Sequence, residues 1–272
     1  MIDLNTQNLH THSTFCDGAD SPEEIVLEAI SKGFDSIGFS GHSFMPFSDY
    51  LKGPDKTEEY KNEVLRLRGK YADRIKIYLG LEVDIYTTPD MTGYDYLIGS
   101  MHYFNINGKY IGFDRSSQEV ERVINTYFDG NGLKYAEYYY KSLAELPKHG
   151  NFDIIGHFDL ISKHSETVSF FDESSDKYLD MAFETMEILA KKIPFFEINS
   201  GAIARGYRTT PYPSISLIKH FKNLGLGAVI TSDSHSKKMI DCNFDESAEI
   251  LKMCGFKEKY ILTDDGFKAV SL

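Results

Sequence analysis

The feature that most constrains the fold is an alternation of short apolar runs with longer amphipathic stretches along the whole chain. Seven runs are short enough for buried strands, and they cover residues 4–10, 36–40, 75–81, 96–101, 152–156, 195–199 and 228–232. Strands that alternate with helices form a mainly parallel sheet covered by those helices. The pattern therefore predicts an α/β barrel close to the eightfold type but one unit short.

The first predicted helix has boundary signals at both ends. Ser21 is in the N-cap position, Pro22 opens the first turn, Glu24 completes a capping box, and Gly33 ends the helix. Amphipathic periodicity predicts five more helices, over residues 56–72, 116–146, 174–192, 213–224 and 244–254. Residues 256–272 match neither the strand nor the helix pattern, so they receive no assignment.

Length and charge narrow the classes of function. A chain of 272 residues fits one α/β barrel, so we expect a single domain over residues 1–272. The formal net charge of −12 disfavours a nucleic-acid partner, because a broad nucleic-acid interface needs a basic face. It allows a small anionic substrate, since metal ions can reverse the sign of the field inside a pocket.

Cysteine usage and hydropathy indicate the compartment. The three cysteines, Cys16, Cys242 and Cys254, have no regular spacing and give no disulfide framework. The N-terminus lacks the basic and apolar regions of a signal peptide, and no run of about 18 apolar residues occurs. We therefore expect a cytoplasmic protein with no membrane partner, while the oligomeric state is not indicated.

Histidines and carboxylates collect at the ends of the predicted strands. Six of the nine histidines lie there, namely His10, His12, His42, His102, His157 and His235. Glu82 follows the third strand, Asp233 follows the seventh, and Asp17 lies in the loop after the first. Barrel enzymes build their chemistry at the C-terminal ends of the strands, so nine potential metal ligands should converge at one face.

Residue spacing supports this convergence. The pairs His10 and His12, and Asp233 and His235, have the i, i+2 spacing that points two side chains the same way from an extended strand. Glu82 follows an apolar run, where a buried carboxylate needs a cation or a hydrogen-bond partner. Taken singly, each residue also fits an ordinary role, such as an exposed histidine or a turn aspartate. Their arrangement in one layer favours a metal site.

Motifs around these residues resemble the PHP (polymerase and histidinol phosphatase) family. They occur in the family order and are HTHS at 10–13, Asp17-Gly18, Gly41-His42, Glu82-Val83-Asp84, Ser100-Met101-His102, Gly156-His157-Phe158-Asp159 and Ser232-Asp233-Ser234-His235. Residues 196–201 and 211–214 are similar to its stand-alone histidinol-phosphate phosphatase branch. The resemblance implies a distorted (β/α)7 TIM-like barrel with a trinuclear metal site at the C-terminal ends of the strands.

The resemblance also implies a distribution of ligands over three divalent metal ions. The first ion would be held by His10, His12, Glu82 and Asp233. Glu82 would bridge to a second ion, which His102 and His157 complete. The third would be held by Asp17, His42 and His235. Position 17 is often histidine or glutamate in the family. The mixture of imidazole and carboxylate suits zinc, iron or manganese.

For activity, the resemblance implies a phosphoric monoester hydrolase that converts L-histidinol phosphate to L-histidinol and phosphate in histidine biosynthesis. Phosphate monoesters are very inert in water, and two adjacent metals can supply hydroxide at neutral pH. Our hypothesis is that a metal-bridging hydroxide attacks phosphorus in line, with Glu82, Asp233 and His235 as the catalytic groups. Asp233 or a neighbouring histidine would protonate the leaving alkoxide, and the sequence does not choose between them.

Four basic residues are candidates for binding the substrate phosphate. Arg205 follows the sixth strand and can offer a bidentate fork, with Arg208 close by in sequence. Lys163 follows the His157 motif, and Arg115 lies in the loop after the fourth strand. For Arg205 the alternative is an ordinary exposed arginine in a surface loop.

Two other functions stay open from the sequence. One is a PHP phosphoesterase with another substrate, as in a protein tyrosine phosphatase, a nucleotide phosphatase or a nuclease. The other is a metal-binding or polymerase-associated module without catalysis, although such a module could afford to lose ligands. A nuclease should show a basic groove. A phosphatase for a small-molecule phosphomonoester should show a closed pocket with an acidic group facing the substrate amine.

Overall fold

The computed structural model describes residues 6–48 and 54–272. In these two stretches the strands are β1 (Gln7–Asn8), β2 (Ser36–Phe39), β3 (Lys76–Asp84), β4 (Tyr96–Ser100), β5 (Tyr103–Ile106), β6 (Lys109–Gly112), β7 (Ile154–Ile155), β8 (Phe195–Asn199), β9 (Gly227–Thr231), β10 (Glu258–Thr263) and β11 (Gly266–Ser271). Seven of them form one parallel sheet in the order β1-β2-β3-β4-β7-β8-β9.

The sheet closes between its first and last strands. Thr11, just after β1, and Ser234, just after β9, form a parallel bridge. The amide of Ser234 donates to the carbonyl of His10 over 3.2 Å, and the amide of His12 donates to the carbonyl of Ser234 over 2.9 Å. The predicted seven-stranded barrel is therefore confirmed.

The strand bounds differ from the sequence-based ones. Residues 4 and 5 of the predicted first strand lie outside the described residues, and β1 covers only Gln7–Asn8. β3 continues to Asp84, so Glu82 lies inside a strand and not after it. β7 spans only Ile154–Ile155.

Helices connect the barrel strands along its outside. In the described part of the chain they are α1 (Pro22–Ser31), α2 (Pro54–Lys70), α3 (Ser117–Tyr127), α4 (Gly132–Leu143), α5 (Asp176–Leu189), α6 (Gly201–Ala204), α7 (Ile215–Asn223) and α8 (Phe244–Met253). The capping box of α1 is confirmed, with both hydrogen bonds between Ser21 and Glu24 present. None of these helices is both long enough and apolar enough to span a bilayer.

The single helix predicted over residues 116–146 is wrong. The structure has two helices, α3 and α4, because Asp129 and Gly130 adopt left-handed φ angles of 55° and 72°. Asn131 then caps α4, since its side chain accepts a hydrogen bond from the amide of Lys134 over 3.1 Å. Left-handed backbone cannot continue a right-handed helix, so the chain starts a new one.

Two β-hairpins lie outside the barrel sheet. β5 and β6 pair antiparallel around Asn107 and Gly108, whose φ angles of 53° and 79° suit a tight hairpin turn. β10 and β11 pair antiparallel in the segment that the sequence left unassigned. Leu262 of β10 joins the apolar cluster inside the barrel, together with Leu9, Tyr78, Tyr96, Ile98, Ile154 and Val229. This second hairpin therefore closes the N-terminal end of the barrel.

Candidate metal centre

The nine predicted ligands meet at the C-terminal ends of the barrel strands. Eight of them form three overlapping groups whose ligand atoms lie within 4.8 Å of one another. The groups are His12, Asp17, His42 and His235; His10, His12 and Asp233; and His42, Glu82 and His102. The ninth residue, His157, has its Nε2 atom 2.9 Å from Oε1 of Glu82. The structure thus brings together all nine residues that the sequence singled out.

Glu82 lies at the centre of the cluster. Its Oε2 is 2.8 Å from Nδ1 of His42, 3.4 Å from Nε2 of His10 and 3.6 Å from Nε2 of His12. Its Oε1 faces a different pair, His157 at 2.9 Å and His102 at 3.4 Å. Burial opposes ionisation of Glu82, but the surrounding imidazoles outweigh burial and hold its pKa well below the usual range. The residue is therefore an ionised carboxylate with two differently directed oxygens.

Asp233 is held in a strained conformation beside α6. Its φ angle of 44° lies in the left-handed region, which is costly outside glycine and typical of functional sites. Oδ1 lies 3.1 Å from Nε2 of His12, and Oδ2 accepts a hydrogen bond from Arg205 over 3.0 Å. Gly201 makes this position possible, since a Cβ there would lie 2.6 Å from Oδ2 of Asp233.

Unsatisfied atoms in the cluster indicate what it can hold. His10 Nε2, His12 Nε2 and Glu82 Oε2 are buried and have no hydrogen-bond partner among the described residues. Buried polar atoms are normally paired, and imidazole nitrogen and carboxylate oxygen are ligands of first-row divalent metals. Burial and repulsion by His235 and His42 lower the pKa of His12 to about 3, so its imidazole is neutral and able to coordinate. The residues therefore fit divalent metal ions.

Glu197 supports the cluster from below and is not among the residues that the sequence singled out. It is fully buried on β8, and its Oε2 lies 2.8 Å from Nδ1 of His10 and accepts from Thr231. Its Oε1 accepts from the amide of His157 over 2.6 Å and from the side chain of Asn199. Carboxylates that bind the second nitrogen of a ligating histidine fix the orientation of its ring. The signal was a lone glutamate in the apolar strand FFEIN.

A small pocket of about 150 Å³ lies over the cluster. It is lined by Asp17, His42, Glu82, His102, Asp114, His157, Leu160, Lys163, Arg205, Tyr207, Asp233 and His235. Four larger cavities, of about 280 to 490 Å³, include none of the nine candidate ligands in their walls. Chemistry and not size therefore identifies the site.

Two of the four predicted phosphate-binding cations reach this pocket. Arg205 donates to Oδ2 of Asp233 over 3.0 Å and lies 2.7 Å from Nδ1 of His235. Lys163 donates to Oδ2 of Asp114 over 2.9 Å, and its Nζ lies 4.8 Å from the centre of the Tyr207 ring.

The other two cations, Arg208 and Arg115, are not among the lining residues. Arg208 is buried with its guanidinium committed to the carbonyl and hydroxyl of Ser162, each at 2.7 Å. Arg115 is exposed. The structure therefore does not bring these two side chains to the pocket.

Comparison with known proteins identifies the family. A family model described as the PHP domain matches residues 8–201, which is most of the chain. The chain belongs to the PHP family. The PHP match includes seven of the nine candidate ligands, while Asp233 and His235 lie beyond its end. The barrel closure described above brings these last two to the others.

Two relatives match this chain over most of their own lengths. A probable histidinol-phosphatase of Schizosaccharomyces pombe is 29% identical over 280 residues, which cover 90% of this chain and 86% of that protein. A histidinol-phosphatase of Lactococcus lactis is 28% identical over 276 residues, or 95% of this chain and 94% of the relative.

A solved structure has the same barrel. The crystal structure of the Lactococcus lactis histidinol phosphate phosphatase, complexed with zinc, L-histidinol and phosphate, superposes with a TM-score of 0.75 at 22% identity. The match covers 97% of this chain and 99% of that one. The likeness confirms the TIM-like barrel fold.

Proposed function

We propose that this PHP protein hydrolyses L-histidinol phosphate to L-histidinol and phosphate. The observation that carries the proposal is the convergence of nine imidazole and carboxylate groups under a small pocket whose wall contains Arg205 and Lys163. The substrate is supported by relatives that are named histidinol-phosphatases and match over almost their whole length.

We infer three divalent metal ions, of zinc, iron or manganese, held by the nine ligands as the family resemblance distributes them. Glu82 is the proposed bridge, because its two oxygens face different imidazoles. The three groups seen in the structure share His12 and His42, so the exact distribution stays a prediction. When bound, such ions lower the pKa of coordinated water and offset the charge on phosphoryl oxygens.

The protein's own side chains would orient the phosphoryl group and protonate the leaving alkoxide. Arg205 would hold phosphoryl oxygens through charge-assisted hydrogen bonds while its contacts keep Asp233 and His235 in position. Lys163 would supply a second positive charge from another part of the wall. Asp233 and His235 both line the pocket, which supports one of them as the proton donor to the leaving oxygen.

The decisive experiment compares substrates on the purified, metal-loaded protein. The measurement is kcat/KM for L-histidinol phosphate, p-nitrophenyl phosphate, a phosphotyrosine peptide, a nucleoside monophosphate and a phosphodiester. We expect L-histidinol phosphate to exceed each of the others by roughly 100-fold or more, as for a site that hydrogen-bonds its substrate. Hydrolysis of the phosphodiester alone would refute the proposal. A preference for the peptide or the nucleotide would select one of the other PHP phosphatase activities.

A further inference from the structure

One carboxylate in the pocket wall has no part in the chemistry proposed so far. Four carboxylates line the pocket, and they are Asp17, Glu82, Asp114 and Asp233. Three of them belong to the groups that can hold metal ions, whereas Asp114 belongs to no such group in the described part of the chain. Asp114 follows β6 and is only 7% exposed, so a role at the protein surface does not explain it.

Asp114 is fixed by the segment that follows His157. Its Oδ2 accepts a hydrogen bond from Nζ of Lys163 over 2.9 Å, and its backbone carbonyl accepts one from His164 over 2.9 Å. Burial favours the neutral acid, but the ammonium of Lys163 outweighs burial and lowers the pKa of Asp114 to about 2. Asp114 is therefore an ionised carboxylate that lines the pocket and is held in place through Oδ2 by Lys163.

The charges around the pocket show what such a carboxylate would do. Arg205, Lys163 and divalent ions all attract the anionic phosphoryl group of a substrate. Together they would repel an ammonium group on the same substrate. A carboxylate bound to a metal has its charge offset, so it compensates an ammonium poorly. Asp114 lies outside the ligand groups, so its charge is shared with one ammonium, that of Lys163, and not with divalent ions.

The geometry of the Asp114–Lys163 pair matches an amino alcohol phosphate. In such a substrate the anionic phosphoryl group and the cationic amine are joined through two adjacent carbons, so opposite charges lie close together. The wall presents the complementary arrangement, with an ammonium and a carboxylate 2.9 Å apart. Lys163 can approach the phosphoryl group while Asp114 accepts hydrogen bonds from the amine.

We propose that Asp114 binds the ammonium group of the substrate and makes the site selective for phosphomonoesters of amino alcohols. The inference rests on the proposed function and assigns a residue of the same site to binding the substrate amine. Asp114 is a specificity-determining residue in this account, whereas Lys163 interacts with the phosphoryl group that every substrate shares.

The test replaces Asp114 by asparagine in the full, metal-loaded chain and uses two substrates. One is L-histidinol phosphate, and the other is the imidazolylpropyl phosphate that lacks only the amine. We expect Asp114→Asn to lower kcat/KM about 10- to 100-fold for the first substrate, which is the usual range for a hydrogen bond to a charged group. The value for the second should change less than about threefold. An equal loss for both substrates, or no loss for either, would overturn the proposal.

A matched control and a measurement on the unaltered protein complete the design. Lys163→Gln should lower kcat/KM for both substrates, since both carry the phosphate, while the amide of glutamine can still donate a hydrogen bond to Asp114. If Asp114→Asn does not fold, inhibition of the unaltered protein by L-histidinol and by the alcohol without the amine tests the same contact. Equal inhibition constants would overturn the proposal, and tighter binding of L-histidinol would support it.

Failure of this inference can be told apart from failure of the proposed function. Rapid hydrolysis of L-histidinol phosphate by both the unaltered protein and Asp114→Asn, with unchanged preference for the amine, overturns only the role of Asp114. Hydrolysis of p-nitrophenyl phosphate but not of L-histidinol phosphate by the unaltered protein overturns both.

Discussion

The two ends of this barrel solve the problem of buried polar groups in opposite ways. At the N-terminal end, Gln7 donates to the carbonyl of Leu262 over 2.9 Å and accepts from its amide over 2.7 Å. At the C-terminal end, His10 Nε2 and Glu82 Oε2 are equally buried, lie 3.4 Å apart and make no hydrogen bond to the described residues. The Gln7–Leu262 pair is thus satisfied within the polypeptide, whereas the second end has buried polar atoms that a bound metal ion would satisfy.

The same strands build both ends, so the contrast runs along each strand. On β8, Phe195 packs against Tyr260 and Phe267 of the C-terminal hairpin, with ring centres 4.8 and 4.4 Å apart. Two residues further on, Glu197 binds His10. Substitutions a few residues apart on one strand should therefore affect different properties, stability at one end and metal binding or catalysis at the other.

The largest effect on activity is expected at Glu82, in the centre of the cluster at the C-terminal end of the barrel. Glu82→Ala removes the carboxylate that contacts five imidazoles, so we expect kcat to fall by roughly 10³-fold or more and metal content to fall with it. Steady-state kinetics and elemental analysis measure the two. A variant with full metal content and unaltered kcat would refute the bridging role of Glu82.

Removal of a pocket cation should have the next largest effect. Arg205→Ala should lower kcat/KM for the monoester about 100-fold, because the proposed contacts to the phosphoryl group are lost. Metal content should stay near that of the unaltered protein, because Asp233 and His235 keep their contacts with His12 and Asp17. Arg208→Ala is the matched control, since Arg208 is buried against Ser162 outside the pocket and should mainly lower the unfolding free energy. Unchanged kinetics in Arg205→Ala would exclude Arg205 from substrate binding.

A smaller effect is expected at Glu197, which contacts the candidate ligand His10 but belongs to none of the candidate metal groups. Glu197→Gln keeps the shape of the side chain but removes the charge that faces Nδ1 of His10, so metal affinity should weaken about 10- to 100-fold. Competition with a chelator of known affinity measures this change. Thr231→Val removes one hydrogen bond to the same carboxylate and should weaken affinity less. If Thr231→Val weakened metal affinity more than Glu197→Gln, packing and not charge would set the orientation of the His10 ring.

The smallest effect on activity is expected at the N-terminal end of the barrel, where Gln7 is hydrogen-bonded to Leu262. Gln7→Ala leaves the backbone of Leu262 without its partners and should reduce the unfolding free energy by about 1–3 kcal/mol. Urea unfolding of the metal-loaded protein measures the loss, and kcat below the unfolding transition should not change. A fall in kcat of the folded variant would show that the two ends are coupled.

Much of the fold could be predicted because its signals are local. The capping box at Ser21 and the strand-end histidines are readable without tertiary information. The break between α3 and α4 was also readable, since Asp129-Gly130-Asn131 is a turn sequence, but the long amphipathic pattern obscured it. The register of β10 on the barrel was not readable, because it depends on contacts between Gln7 and Leu262, far apart in sequence.

The candidate site, like the fold, could be predicted from the sequence only in part. Residue type and strand position predicted the nine side chains that the structure brings together, yet the sequence could not rank the cations, because Arg205 and Arg208 differ only in where their side chains point. Glu197 was missed although the argument applied to Glu82, a carboxylate within an apolar strand, holds for it equally. Asp114 had no local signal, since its role depends on Lys163 from a distant segment.

The bridge between Thr11 and Ser234 has a consequence for synthesis of the protein. It joins His10 and His12 from the beginning of the barrel to Asp233 and His235 from its last strand. A nascent chain therefore cannot complete the proposed metal centre before residue 235 has left the ribosome, and a chain terminated earlier lacks two of the nine candidate ligands. Full occupancy of the proposed centre would thus require that the first and last strands have met.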